Sequence, residues 1–91
     1  MTSNPDVAAI SLTLYSRNGC HLCEDMEAGL AELQKELGFQ LEHVDIDRDA
    51  GLVELYGTLV PVLKDGDTEI CHYFLDPQAL RDHLDNRPNQ L

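Results

Sequence analysis

Basic residues are scarce in this 91-residue chain: six Lys and Arg face seventeen Asp and Glu, a formal net charge of −11. Phosphate backbones and anionic membranes are held by clustered Lys and Arg, so this balance excludes both as expected partners. It is a balance suited to solubility, with a basic protein as the partner that charge would favour. Long apolar runs are also missing. The longest are Val7–Ile10 and Leu59–Leu63, the second interrupted by Pro61. Neither approaches the roughly 20 residues of a membrane-spanning helix. The first residues, Met1 to Asp6, include no Lys or Arg and lead into no long apolar stretch, so no secretion signal is expected and the expected compartment is the cytoplasm. Three cysteines are too few and too odd in number for a disulfide-stapled secreted fold. In a reducing compartment a cysteine pair is more often catalytic or metal-binding than structural.

Ninety-one residues suit one domain, expected to span the whole chain (1–91) with its core at about 8–85. A chain of this size buries only about 60–65% of its unfolded surface. In Ala8–Tyr15 the apolar Ile10, Leu12 and Leu14 alternate with Ser11, Thr13 and Tyr15, the period of a strand. Ser16-Arg17-Asn18-Gly19 reads as a turn. A helix is expected to about Leu37, with Leu22, Met26, Leu30, Leu33 and Leu37 on one face and Gly38 as its stop. Phe39–Ile46 is expected as a second strand, followed by a short helix capped by Asp47 or Asp49 and ended by Gly57. Pro61–Lys64 and Glu69–Phe74 read as strands of a hairpin turning at Asp65-Gly66. Asp76-Pro77 is a cap followed by a first-turn proline, opening a helix to about Asp85. The order is β-α-β-α-β-β-α: an α/β fold with a four-stranded mixed sheet flanked by three helices, the order of the thioredoxin-like fold. Its first half is a parallel βαβ unit with a right-handed crossover.

The chemistry is concentrated in Cys20-His21-Leu22-Cys23. At the start of a helix, residues three apart share a face within bridging distance. The first cysteine meets unpaired backbone N–H groups and the positive end of the helix dipole, both of which favour its thiolate. Cys20 is therefore the expected nucleophile and Cys23, one turn further in, the resolving thiol. Lowering a thiol pKa from about 8.5 to about 6.5 would raise the ionised fraction at pH 7 from a few per cent to about three quarters. Here the helix end, worth about 0.3–1 kcal/mol, is opposed by the adjacent Glu24 and Asp25, so no strong acidification of Cys20 is expected. His21 is a possible modulator when protonated. The same spacing is half of a zinc site, and Cys71-His72 would be the other half. Adjacent strand residues point to opposite faces, which makes that pairing awkward, and no metal site is assigned. Two inert structural thiols are a third reading. Cys71 is a candidate third redox thiol, or a small buried apolar residue. The Asp45, Asp47 and Asp49 series lacks the glycine and closing glutamate of a calcium loop and suits caps. His43, His72 and His83 have no ligand spacing.

The stretch from Leu12 to Cys23, Val44-Asp45-Ile46-Asp47, and Tyr56-Gly57 leading to Leu59-Val60-Pro61 resemble the glutaredoxin-like proteins. The likeness runs from about Ala8 to about Leu84 and is nearest to the small bacterial members of unassigned function. It implies a thiol–disulfide oxidoreductase that acts on a disulfide-containing protein or a low-molecular-weight thiol. It implies no tightly bound cofactor, glutathione as a possible co-substrate, and a monomer. It also implies that Pro61 is a cis-proline beside Cys20, that the Val60 backbone pairs with an extended substrate, and that Arg17 stands where the family often has a substrate-binding Lys. The sequence departs from the family in two places. His21 and Leu22 replace the usual Pro-Tyr between the cysteines. The Gly-Gly pair and acidic residues that hold glutathione give way to Cys71-His72 and Tyr73-Phe74. Two other readings accompany this one: a non-catalytic adaptor on the same scaffold, and metal or iron–sulfur binding through Cys20.

Overall fold

The computed structural model describes residues 10–86. Strand β1 (Ser11–Ser16) leads into helix α1 (His21–Leu37), then strand β2 (Gln40–Asp45). A 3-10 turn (Ile46–Arg48) and helix α2 (Ala50–Tyr56) follow. Strands β3 (Val62–Asp65) and β4 (Thr68–His72) and helix α3 (Pro77–Asp85) complete the chain. The sheet order is β2-β1-β3-β4. β1 runs parallel to β2 and antiparallel to β3, and β3 runs antiparallel to β4. This is the expected mixed sheet with three helices. Ala8 and Ala9, expected in the first strand, lie outside the described residues.

The alternation read in β1 decides which face is covered. Leu12 and Leu14 are fully buried and pack with Met26, Leu30 and Leu33 of α1, Leu63 of β3 and Leu80 of α3. Each fully buried leucine contributes about 1.5–3 kcal/mol of hydrophobic stabilisation. The opposite face carries Val62 and Lys64, and α2 lies over it: the Tyr56 ring stacks on Tyr15 at 4.5 Å and its hydroxyl is 2.9 Å from Lys64 Nζ. β2 is an edge strand with exposed Gln40, Glu42 and His43.

The termini of the helices follow the capping signals. Gly38 closes α1 at φ +85°, a conformation that favours glycine. Of the two caps considered for α2, Asp49 is the one used, accepting from Gly51 N at 2.8 Å, while Asp45 caps the 3-10 turn. Asp76 accepts from Ala79 N at 3.0 Å, with Pro77 in the first turn of α3. A bidentate pair from Arg81 to Glu36, at 2.6 and 2.9 Å, ties α3 to α1.

One strand ends earlier than the sequence suggested. β4 stops at His72 rather than Phe74, because Tyr73 has φ +64°. Phe74 N donates to His72 O at 2.7 Å, which closes a γ-turn of the rare positive-φ kind around Tyr73. Tyrosine carries no propensity for that conformation, so apolar and aromatic content alone extended the expected strand through it.

Candidate functional site

Gly19, at φ +73°, turns the chain from β1 into α1 in a conformation costly for other residues. Cys20 is the N-cap of α1 with extended backbone, and its Sγ accepts from Cys23 N at 3.1 Å. Its carbonyl accepts from Glu24 N, the first helical bond. Cys20 and Cys23 form a disulfide with their Cα atoms 5.2 Å apart. The two sulfurs differ in access. Cys20 is half-buried, whereas Cys23 is 1% exposed on the inner side of the helix. His21, Glu24 and Asp25 are exposed beside the pair.

Arg17, two residues before Gly19, is engaged within the protein. Its guanidinium donates to both Asp47 oxygens, at 3.3 and 2.7 Å, and to Gly57 O at 3.3 Å. The hydrogen bonds and charge of Asp47 raise its pKa further above the ordinary value. This triple attachment fixes the loop before Cys20 to the 3-10 turn and to the end of α2. The carboxylate that Arg17 meets is the protein's own, a pairing across 30 residues that local sequence does not signal.

The Val60–Pro61 peptide bond is cis. Tyr15 of β1 pairs with Val62 of β3, so Pro61 enters the sheet at the end of β1 from which the loop to Cys20 departs. Pro61 is buried and Val60 half-buried. The Val60 amide donates to Tyr56 O at 3.1 Å, so it is already engaged. From the other side Tyr73 clasps the same loop: its amide donates to Pro61 O at 2.9 Å and its hydroxyl to Thr58 O at 2.8 Å. The positive-φ residue beside this loop is Tyr73.

Cys71 is a half-buried free thiol. It lies opposite Leu63 on β4 and packs against the main core. Burial pushes its thiol pKa up, partly offset by a hydrogen bond from the Asp76 backbone. The His residues make local pairs: His72 with Glu69 at 2.6 Å, His83 with Asp65 at 2.8 Å, and His43 near Glu27. Among the described residues no three His, Cys, Asp or Glu side chains are grouped as a metal site, and no helix is long and apolar enough to cross a membrane.

The profile of the glutaredoxin-like domain (DUF836) matches residues 11–85. The chain belongs to this family. A similar solved structure is that of protein Ne2328 from Nitrosomonas europaea, 46% identical, covering 81% of this chain and 89% of that one, with a TM-score of 0.72. An uncharacterized protein of Mycobacterium tuberculosis is 34% identical over 73 residues, 75% of each chain. Thioredoxin from Fasciola hepatica, 19% identical, shares the fold at a TM-score of 0.60 over 93% of this chain and 86% of that one. The fold is thioredoxin-like, and the site is a Cys20–Cys23 disulfide at the start of its first described helix.

Proposed function

We propose that this glutaredoxin-like protein is a thiol–disulfide oxidoreductase working through Cys20 and Cys23. The observation that carries the reading is the unequal exposure of two bridged cysteines at a helix start, Cys20 half-buried and Cys23 1% exposed.

In the dithiol form, the Cys20 thiolate attacks one sulfur of a substrate disulfide. The substrate S–S bond breaks, a Cys20–substrate disulfide forms, and the departing sulfur takes a proton from solvent. Cys23 then gives up its proton and attacks Cys20 Sγ. The internal disulfide closes and the second substrate sulfur leaves as a thiol. Two electrons and two protons pass from the dithiol to the substrate; a thiol substrate reverses every step. The Cys23 amide that now faces Cys20 Sγ is in place to stabilise the attacking thiolate. Glu24 and Asp25 oppose that ionisation, which suits a moderate nucleophile rather than a strongly acidic one.

Pro61 and the Val60 carbonyl form the substrate-facing edge next to Cys20. Arg17 acts as a positioning residue, because its donors hold Asp47 and Gly57. His21 stands exposed next to Cys20 as a modulator of the site. A reducing compartment such as the cytoplasm would keep the dithiol as the resident form.

The test is a redox titration of the Cys20–Cys23 pair together with the rate at which the reduced protein consumes hydroxyethyl disulfide. Reversible two-electron oxidation and a rate well above that of Cys20→Ser support the reading. A pair that does not cycle, or equal rates, overturns it.

A further inference from the structure

The Tyr73–Phe74 turn is the least ordinary backbone of the described residues. Tyr73 is their single non-glycine residue at positive φ, and the turn is closed by a two-residue hydrogen bond. Such a strained conformation persists only where the surroundings hold it. Here they do: the Tyr73 amide and hydroxyl grip Pro61 O and Thr58 O, at both ends of the loop that carries Val60. The following Leu75 seats on α1, so closely that a Cβ added at Gly29 would stand 2.6 Å from Leu75 Cδ2. Segment 73–75 therefore bridges the Pro61 loop and the helix that begins at Cys20. Between its two anchors, Phe74 stands 68% exposed, beside a 39% exposed Tyr73, with edge-on ring contacts joining His72, Tyr73 and Phe74.

An exposed phenylalanine held on a braced turn has no role in the core. Residues 73–75 give this wall no charged side chain for an anion, and Glu24 and Asp25 stand exposed after Cys20 on a chain of net charge −11. Resting on the oxidoreductase reading above, we infer that the Tyr73–Phe74 turn is a specificity element. It presents an aromatic ledge to an extended apolar segment of a disulfide-bearing protein that also carries Lys or Arg, and the Tyr73 clasp denies that wall to glutathione. Apolar contact on the ledge provides affinity, and the acidic surface selects a cationic segment and speeds encounter.

The experiment is single-turnover mixing of the full-length dithiol protein with four disulfides, following formation of the Cys20–Cys23 disulfide. The four are a symmetrical disulfide of a Cys peptide flanked by Leu and Lys, its counterpart with Glu for Lys, glutathione disulfide, and hydroxyethyl disulfide. The Leu/Lys peptide is expected to react about tenfold faster than the Leu/Glu peptide and than glutathione disulfide. Phe74→Ala should lower the ratio of the Leu/Lys peptide rate to the hydroxyethyl disulfide rate about tenfold. Tyr73→Gly, which the backbone accepts without strain, should raise the relative rate with glutathione disulfide. A wild-type preference for glutathione disulfide, or a ratio unmoved by Phe74→Ala, overturns the inference and leaves the oxidoreductase reading standing. Self-association lost in Phe74→Ala would assign the ledge to a second copy and also overturn it. Failure to react with hydroxyethyl disulfide overturns both.

Discussion

The two walls of the site are built by different means. The Cys20–Cys23 wall is local: a turn glycine, an N-cap and two hydrogen bonds spanning three and four residues create it. The Pro61–Phe74 wall is tertiary. The β3–β4 register brings strand and turn together, and the Tyr73 clasp joins residues 12 and 15 positions apart. In the proposed function, chemistry rests on the local wall and recognition on the tertiary one. The departures from the family touch both: His21 and Leu22 on the local wall, Cys71 to Phe74 on the tertiary one.

The third cysteine offers the sharpest way to break this contrast. Cys20 stands at a helix start, Cys71 against the core. In the reduced protein at about pH 7.5, iodoacetamide should modify Cys20 at least about tenfold faster than Cys71, with the two rates converging in denaturant. Cys71 should label only at more alkaline pH than an ordinary thiol, because burial raises its pKa. Stability depends on the same shift. A folded pKa above the unfolded one means that the contribution is complete below about pH 8.5 and is lost as pH rises through the folded value. Cys71→Ala should lack that alkaline loss, as thermal melts across pH 7–10 would reveal. Equal labelling of Cys20 and Cys71 would erase the distinction between them.

A smaller effect is expected at the link between the Cys20 loop and the rest of the fold. Arg17→Ala removes the contacts to Asp47 and Gly57, but both charged side chains are more than a third exposed and screened by solvent. Its melting temperature should fall by about 1–4 °C, and the deficit should shrink at about 1 M salt. Arg17→Lys should restore it only in part, since Lys lacks the planar fork. A fall that is insensitive to salt would mean that Arg17 acts by packing rather than by charge.

The smallest effect should come far from both walls. The Arg81 guanidinium holds the Glu36 carboxyl below its usual range. A depressed folded pKa contributes stability above the unfolded value, near pH 4.3, and loses it as pH falls through the folded one. Glu36→Gln should therefore melt slightly below wild type at pH 7 and match it below about pH 3. A larger fall at neutral pH than that of Arg17→Ala would place the stronger ion pair away from the site and reverse the ranking of the two.

The same division explains what could be read in advance. The alternation in Leu12–Tyr15, the helical stripe from Met26 to Leu37, and the Asp76-Pro77 cap are local signals, and each element formed near its expected bounds. The Cys20–Cys23 bridge was legible for the same reason. The Arg17–Asp47 pair was not legible, because Asp47 is 30 residues away and nothing in the sequence names it. The turn at Tyr73 was not foreseen, because an aromatic residue at the end of a strand pattern reads as more strand. Its turn is imposed by hydrogen bonds to Pro61 and Thr58 that exist only in the folded sheet.

The whole mechanism depends on Cys20 being the attacking sulfur. Cys23→Ser removes the resolving thiol and leaves Cys20 in place. Mixed with a disulfide substrate, this variant should accumulate one adduct, released by dithiothreitol and mapped by peptide mass spectrometry to Cys20. Absence of the adduct, or its location on Cys71, would contradict that assignment.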